Sequence, residues 1–264
     1  MPGHKTVCSI RSLKAAGKRI SMLTAYDYPT ARLLDRAGVD IILVGDSLAN
    51  VVLGLDSTAQ VGMEAMLHHA RAVGRAVTDA LVVADMPFEA YQPAGADAVG
   101  QARRLVDDAG CGAVKLEWFA GAVEVVVALR RAGIEVMGHV GLTPQTAAEF
   151  KVQGRDAASA AAILTQANAL EAAGCFALVL ECVRESLAQD ITASLKIPTI
   201  GIGAGKYCDG QVLVLHDMLG LNERKVPRFV KQYADLSEQI LQAVRQYKEE
   251  VEQGLFPDES RSFH

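Results

Sequence analysis

Acidic side chains stand at the ends of several short apolar runs in this sequence. Asp46 follows IILVG, Asp85 follows LVVA, Glu117 ends AVKLE, Glu181 ends ALVLE, and Asp27 follows SMLTAY. Carboxylates that converge on a small volume repel one another unless a cation or a proton joins them. The pattern therefore predicts an active site at one end of a parallel barrel, with a bound metal and acid–base chemistry.

Asp46 and Asp85 are the first candidates for metal ligands. Each follows a run so apolar that an unpaired carboxylate there would be desolvated. Two such oxygens from neighbouring strands could bind one hard divalent ion, for which Mg²⁺ is the natural candidate. The alternative is that each aspartate is the N-cap of the helix that follows. Two matched positions favour the metal.

Lys115 and Glu117 are two residues apart in VKLE, so on a strand their side chains point to the same face. Inside a barrel, the lysine could hold a carboxylate or ketone oxygen of a substrate. Glu117 could join the metal shell directly or through water. A structural ion pair between the lysine and a neighbouring carboxylate is the alternative.

Glu181 and His139 complete the set of candidate site residues. Glu181 could act as a general base if burial raised its pKa toward about 6 to 7, although a helix cap or a salt bridge is the alternative. His139, in VMGHVGLTP, is a candidate for substrate binding, and a ligand or a core histidine remains an alternative. The glycine-rich turn at 201–210 matches neither phosphate-binding glycine motif, so we expect it to line the substrate pocket, with a nucleotide site as the less favoured alternative.

The elements that must position these residues follow a repeated pattern. Helix-like segments end in Ala-Gly at 37–38, 109–110, 132–133 and 173–174, and an apolar run follows each. Further apolar runs at 20–24, 81–84, 198–202 and 212–215 bring the candidate strands to eight, alternating with helices. This predicts an α/β fold, a (β/α)8 TIM barrel, with an open doubly wound sheet as the alternative. We expect one domain over 1–264, with an N-terminal extension and a long C-terminal helix.

The C-terminal segment has an apolar stripe of its own. From Phe229 to Val251 apolar residues recur every three or four positions, which predicts one long amphipathic helix. It could pack on the barrel wall or lie in the interface of an oligomer, and the sequence does not decide between the two.

Composition excludes several classes of protein. The 264 residues carry a net charge of −5 with mixed signs, so we expect no nucleic-acid partner. No apolar run approaches the roughly 18 residues of a membrane span, and the N-terminus lacks a signal-peptide core. The 5 cysteines form no C-x-x-C pair and are expected to be reduced thiols. These features favour a cytoplasmic protein without a membrane partner.

Several phrases in the same order resemble the ketopantoate hydroxymethyltransferase family. They include MLTAYDYPTARL, VDIILVGDSL, LVVADMPF, AVKLE, GHVGLTPQ, KVQGRD, FALVLECV, IPTIGIGAG and CDGQVLVLHDMLGL, and they extend from about Ile20 to Leu236. The resemblance implies a barrel of the phosphoenolpyruvate/pyruvate superfamily and dependence on Mg²⁺. It also implies one-carbon transfer from 5,10-methylenetetrahydrofolate to 3-methyl-2-oxobutanoate, in pantothenate biosynthesis, by a large symmetric homo-oligomer, a decamer.

The resemblance also implies roles for individual residues. Asp46 and Asp85 match the family's metal ligands, with Glu117 beside them. Contacts to the 2-oxo acid are implied for Ser47, Asp46, Asp85 and Lys115. Glu181 matches the proton acceptor, which would remove the C3 proton and leave an enolate to attack the folate's methylene carbon, giving 2-dehydropantoate.

Two loops depart from the family pattern, and two other functions remain alternatives. Trp118 and Phe119 stand where the family has glycines, and the segment TAAEF at 146–150 is shorter than usual. These changes leave the contacts to folate open. A magnesium-dependent lyase or mutase of the same superfamily would use the same chemistry on another 2-oxo acid. A non-catalytic barrel that binds a carboxylate is the other alternative.

Overall fold

The structure is a computed structural model that describes residues 4–92, 95–147, 149, 151–222 and 226–263. Contacts within the chain group into two units, Met1–Val214 and Leu215–His264. The first unit contains the barrel and all the candidate site residues. The second contains the C-terminal helices.

In the described part of the first unit, eight parallel strands close into a barrel in sequence order. The strands are β1 Ile20–Thr24, β2 Ile41–Val44, β3 Leu81–Asp85, β4 Ala113–Glu117, β5 Val136–Gly141, β6 Ala177–Glu181, β7 Thr199–Ile202 and β8 Gly210–Leu213. Closure comes from the pairing of β8 with β1, where Gly210 lies opposite Ile20. The predicted TIM barrel is therefore confirmed, and the open sheet is wrong.

Helices follow β1 to β6 and cover the outside of the barrel, so both faces of the sheet are buried there and its strands are apolar almost throughout. Between β7 and β8 the described residues 203–209 form a turn with no helix, so the predicted alternation of strands and helices is wrong at this point. The helices are α1 Val7–Ala15, α2 Tyr28–Arg36, α3 Leu48–Val51, α4 Met63–Ala76, α5 Phe88–Tyr91, α6 Ala98–Arg103, α7 Ala122–Arg131, α8 Ala157–Ala173 and α9 Glu185–Ser194. A π-helical turn, Arg104–Asp108, extends α6, and a short 3-10 helix covers Thr58–Gln60.

The barrel interior is apolar toward the amino ends of the strands and polar at their carboxyl ends. Apolar side chains from the first three residues of the strands, among them Ile20, Ile41 and Leu81, form one buried cluster, and Ile10 of α1 packs into it. The N-terminal extension therefore contributes to the amino end of the barrel. Apolar packing at this end leaves the carboxyl ends of the strands for the polar residues, which is the usual position of the active site in this fold.

Two predicted elements have wrong boundaries. The last strand is Gly210–Leu213 rather than 212–215, because β8 approaches β1 so closely that a Cβ on Gly210 would lie 2.5 Å from the carbonyl oxygen of Ile20. Glycine is depleted in strands, so propensity does not indicate it there. The C-terminal helix begins at Leu236 rather than at Phe229, because the side chain of Asp235 caps it by accepting from the amide of Glu238.

The second unit contains α10 Leu215–Leu219, α11 Leu236–Glu252 and a 3-10 turn at Glu259–Arg261. None of the residues of α11 is buried in the chain. Its apolar side chains are open to solvent, with exposed fractions of 52% for Ile240, 58% for Val244 and 57% for Tyr247. No helix in the portion of the chain that the structure describes is long and apolar enough to cross a membrane.

Candidate active site

The carboxyl ends of β3, β4 and β5 bring four polar side chains into the barrel interior. The parallel register places Asp85 opposite Lys115 and Glu117 opposite His139. All four are at most 5% exposed. The ammonium Nζ of Lys115 lies 2.9 Å from Oδ1 of Asp85. Lys115 and Glu117 therefore both point inward, as their spacing predicts.

Asp46 joins this group from the end of β2. Its backbone amide donates to Oδ2 of Asp85 at 2.9 Å, and its side chain is buried. The N-cap positions of the helices after β2, β3 and β6 fall on other residues, namely Ser47, Pro87 and Arg184. Helix capping therefore does not account for Asp46, Asp85 or Glu181.

Asp27 does not belong to the site, although it also follows a strand. Its exposed side chain accepts from the amide of Thr30 at 2.8 Å and is the N-cap of α2. Asp27 lies three residues past the end of β1, which carries it beyond the barrel mouth and onto the first turn of the next helix. Grouping it with the other strand-end carboxylates was wrong, and the capping explanation holds for this residue.

The buried carboxylates outnumber the cations beside them. Burial raises the pKa of Asp85 to about 7, against the opposing effect of Lys115, and the charge of Asp46 raises it further. Burial also raises the pKa of Glu117 well above its usual value, followed by the charge of Asp46. Burial alone would lower the pKa of Lys115, but Asp85, Asp46 and Glu117 raise it overall, so the lysine stays protonated.

His139 connects Lys115 to Glu181. Its Nδ1 lies 3.2 Å from Nζ of Lys115, and its Nε2 lies 3.4 Å from Oε2 of Glu181. Burial, followed by the charge of Lys115, lowers the pKa of His139 well below its usual value, so the imidazole is neutral. An ammonium group can only donate, so Nδ1 is the acceptor and the ring proton is on Nε2, toward Glu181.

Glu181 ends β6 with its carboxylate 13% exposed. Burial raises its pKa to about 8, against the opposing effect of the more distant Lys115, while Asp46 and Asp85 raise it further. A carboxylate with such a pKa can hold or accept a proton near neutral pH. Ser47 lies on another side of the site, where its Oγ is 2.8 Å from the hydroxyl of the buried Tyr26.

Gln145 is a central residue that the sequence reasoning missed. Its side-chain amide donates to Oδ2 of Asp46 at 2.9 Å and to the carbonyl of Met86 at 3.1 Å. Its backbone amide donates to Oε2 of Glu117 at 3.2 Å. The hydroxyl of Tyr91 donates to Oε1 of Gln145 at 2.6 Å. The signal that could have found it is its position in GHVGLTPQ, a polar residue just past the end of β5.

The donor set fits a hard divalent cation. Asp46 and Asp85 offer carboxylate oxygens, and Oε1 of Glu117 is buried without a hydrogen-bond partner. Within the described ranges, no three His, Cys, Asp or Glu side chains are arranged to hold an ion by themselves. Mg²⁺ does not need such a cage, because it keeps several waters and takes one or two carboxylates together with substrate oxygens.

The two loops that depart from the expected pattern lie next to this site. The amide of Trp118 donates to the carbonyl of His139 at 2.9 Å. The ring of Phe119 packs edge-on against Tyr91, with centroids 5.5 Å apart. In the segment 146–150, Ala148 and Phe150 lie outside the described residues. The glycine-rich turn after β7 leads directly into β8, with Gly210 as the first residue of that strand.

Two solved structures have a fold similar to that of this chain. Phosphonopyruvate hydrolase in complex with oxalate and Mg²⁺ matches with a TM-score of 0.63 over 97% of this chain and 92% of that one, at 14% identity. 2,3-Dimethylmalate lyase, of the PEP mutase/isocitrate lyase superfamily, matches with a TM-score of 0.62 over 99% and 93%, also at 14% identity. These likenesses establish the fold of the superfamily and no more.

Sequence comparison is more specific. The 3-methyl-2-oxobutanoate hydroxymethyltransferase of Moorella thermoacetica is 56% identical over 98% of this chain and 97% of its own length. The protein of the same name from Carboxydothermus hydrogenoformans is 53% identical over 98% and 95%. The family model for ketopantoate hydroxymethyltransferase matches residues 4–259. With this coverage and identity, the chain is a member of the ketopantoate hydroxymethyltransferase family.

Proposed function

We propose that this chain transfers a hydroxymethyl group from 5,10-methylenetetrahydrofolate to 3-methyl-2-oxobutanoate, giving 2-dehydropantoate for pantothenate biosynthesis. Full-length identity to relatives named for this reaction supports the assignment. The observation that carries it is the position of Glu181, a carboxylate with a pKa raised to about 8 next to a neutral imidazole. A base of this kind is what proton removal beside a ketone requires.

Residues at or just past the ends of β2, β3 and β4 bind the 2-oxo acid. The ammonium of Lys115 attracts the substrate carboxylate or ketone oxygen, and the hydroxyl of Ser47 donates or accepts a hydrogen bond beside it. A magnesium ion held by Asp46 and Asp85, with Glu117 directly or through water, would act as a Lewis acid on the substrate oxygens. The low exposure of these side chains excludes water and strengthens their charges.

Proton transfer falls to Glu181. Its carboxylate takes the proton from C3 and leaves the substrate as an enolate. Nε2 of His139 lies 3.4 Å from Oε2 of Glu181, so a small movement of either side chain would let the ring N–H donate to the carboxylate and stabilise its charge before the transfer. Lys115 on the other ring nitrogen keeps the imidazole in the tautomer that can do this.

The second half of the reaction forms the carbon–carbon bond. Water adds to the methylene carbon of the folate, and the two carbon–nitrogen bonds to that carbon break in turn with their electron pairs going to nitrogen, so tetrahydrofolate leaves and the carbon remains at the oxidation level of formaldehyde. The C3 carbanion of the enolate attacks this carbon, and the oxygen takes up the proton that Glu181 removed and becomes the hydroxyl of the product. The carbon keeps its oxidation level until it accepts the electron pair of C3, so no external oxidant or reductant is needed.

The test is an assay of the purified chain with 3-methyl-2-oxobutanoate and 5,10-methylenetetrahydrofolate, with Mg²⁺ and after its removal by a chelator. We expect 2-dehydropantoate only when both substrates and the metal are present. Exchange of the C3 hydrogen with solvent deuterium should proceed without folate. A lyase or mutase would instead convert a different 2-oxo acid without folate, and a binding protein would show no exchange.

A further inference from the structure

A basic cavity of about 550 Å³ lies outside the residues used above, lined by Lys151, Val152, Arg155 and Arg184. The segment that forms it is attached to the end of β6. Gln153 makes a parallel bridge with Val183, and its amide donates to the carbonyl of Cys182 at 2.7 Å. The cavity is therefore on the same end of the barrel as Glu181.

The path from Glu181 to the cavity is short. Arg184 is the third residue after Glu181, so their Cα atoms can be no more than roughly 11 Å apart. The intervening Cys182 has a positive φ of 49°. A non-glycine residue in this conformation makes a sharp local turn, which redirects the chain as it leaves the barrel interior. Arg184 thus begins the outer part of the mouth of the same site.

The cationic charges of this cavity are only partly balanced. Lys151 is paired with Glu149. A guanidinium nitrogen of Arg184 donates to the carbonyl of Arg155 at 3.0 Å, which holds the side chain without neutralising it. Within the ranges that the structure describes, neither arginine has a salt bridge to a carboxylate. Unpaired arginines at the mouth of a site, in a chain with a net charge of −5, favour an anionic ligand.

The proposed reaction has one substrate with carboxylates far from its reacting atom. Folate carries a glutamate at the end of a rigid p-aminobenzoyl group, and each further glutamate adds a negative charge. We propose that the cavity of Lys151, Arg155 and Arg184 binds the glutamate tail of the folate co-substrate. Val152, 50% exposed, provides an apolar contact for the p-aminobenzoyl ring. This inference rests on the proposed function, because it assigns one part of that function's co-substrate.

The test compares folates that differ only in the tail. The KM for 5,10-methylenetetrahydrofolate is measured with no glutamate, one glutamate and three, in the parent and in Arg155→Gln/Arg184→Gln. Arg184 makes no side-chain cap to α9, so its replacement removes charge without removing a cap. The variant loses the two exposed ion pairs that Arg155 and Arg184 would make with carboxylates of the tail, so its KM for the triglutamate should be about 3- to 20-fold higher than that of the parent. The KM for the glutamate-free derivative should be nearly the same in parent and variant. Added salt should reduce the difference in KM between parent and variant for the triglutamate.

The matched control is Arg36→Gln/Arg131→Gln. These exposed arginines end α2 and α7, at the opposite end of the barrel, and the double variant loses the same charge. We expect its KM values to equal those of the parent for all three folates. In the cavity variant, kcat and the KM for the 2-oxo acid should also stay unchanged, as should C3 exchange without folate.

The outcomes separate this inference from the proposed function. The cavity assignment is overturned if turnover occurs with a KM that is independent of tail length, or if the KM rises equally in the control variant. Either result leaves the proposed reaction unaffected. Absence of turnover with any folate overturns the reaction itself. Calorimetric binding of tetrahydrofolate with one and three glutamates then tests the cavity directly, because a tail site binds the triglutamate more tightly and loses that preference in Arg155→Gln/Arg184→Gln.

Discussion

The side-chain amide of Gln145 lies 2.9 Å from Oδ2 of Asp46, although the two residues are 99 positions apart in the chain. Gln145 follows β5 and Asp46 lies two residues past the end of β2, so this bond crosses the mouth of the barrel. Because the backbone amide of Gln145 also holds Glu117, one residue positions two of the proposed metal-binding carboxylates.

Replacing Gln145 should weaken the metal site without removing a ligand. In Gln145→Leu, Oδ2 of Asp46 loses its donor, and we expect Mg²⁺ affinity to fall by about 10- to 100-fold. Calorimetry of Mg²⁺ binding gives the affinity. Gln92→Leu is the control, since the side-chain amide of Gln92 donates to the hydroxyl of Tyr91 at 3.1 Å and, among the residues that the structure describes, to no proposed metal ligand. Parent-like affinity in Gln145→Leu would contradict the positioning role.

The metal assignment predicts that Asp46→Ala and Asp85→Ala each abolish Mg²⁺ binding and activity while the far-UV circular dichroism of the barrel is retained. Asp27→Ala is the matched control, because it removes a strand-end carboxylate that only caps a helix. It should keep its activity and lose about 1 kcal/mol of stability. Full activity of Asp85→Ala without added metal would reject the assignment.

The base assignment predicts a selective defect in Glu181→Gln. The amide is nearly isosteric and is not a proposed ligand, so binding of Mg²⁺ and of the 2-oxo acid should persist. Deuterium exchange at C3 and hydroxymethyl transfer should both fall by about 10² to 10⁴, the usual contribution of a positioned base. Exchange at the parent rate would place the base elsewhere, with His139 as the next candidate.

The raised pKa of Glu181 also predicts how stability depends on pH. Its pKa is about 8 in the folded chain against 4.5 as the reference, so between these values the folded state holds a proton that the unfolded state has released. The free energy of unfolding therefore falls as pH rises through this window. The glutamine of Glu181→Gln does not titrate, so its free energy of unfolding lacks this pH dependence. Without metal, the free energies of unfolding of parent and variant should therefore diverge by a few kcal/mol across the window. Urea unfolding at pH 5, 6.5 and 8 measures the divergence, and a constant difference would contradict it.

The exposed apolar stripe on α11 predicts self-association, as the family resemblance also implies. Light scattering at micromolar concentration should give a mass well above the 28.1 kDa of one chain. Ile240→Lys/Val244→Lys should lower that mass, since both side chains are more than half exposed within the chain. Gln242→Lys, on the same helix but polar, is the control. A parent mass near that of one chain would count against an oligomer.

The sequence predicted the barrel because the signals for it are local. Strands buried on both faces need continuous apolar runs, and a glycine ends several of the helices that return to the next strand, although the C-caps of α4 and α9 are Val77 and Leu195, so both patterns recur along the chain. The pairing of Asp85 with Lys115 and of Glu117 with His139 follows once the strands are known, because parallel neighbours in register place their ends together. Local patterns do not, however, reveal where two strands approach each other closely. The sequence therefore did not indicate that β8 begins at Gly210, next to Ile20 of β1.

Tertiary structure alone decided which polar residues share the site. Asp27 and Asp85 both follow apolar strands, yet one caps an exposed helix and the other pairs with Lys115 in the barrel interior. The position of Gln145 after β5 marks it only as a polar residue near the site, because its bond to Asp46 depends on the closure of the barrel and on the path of the loop after β5. The sequence determines where each strand ends, but contacts between distant strand ends exist only after the whole chain has folded.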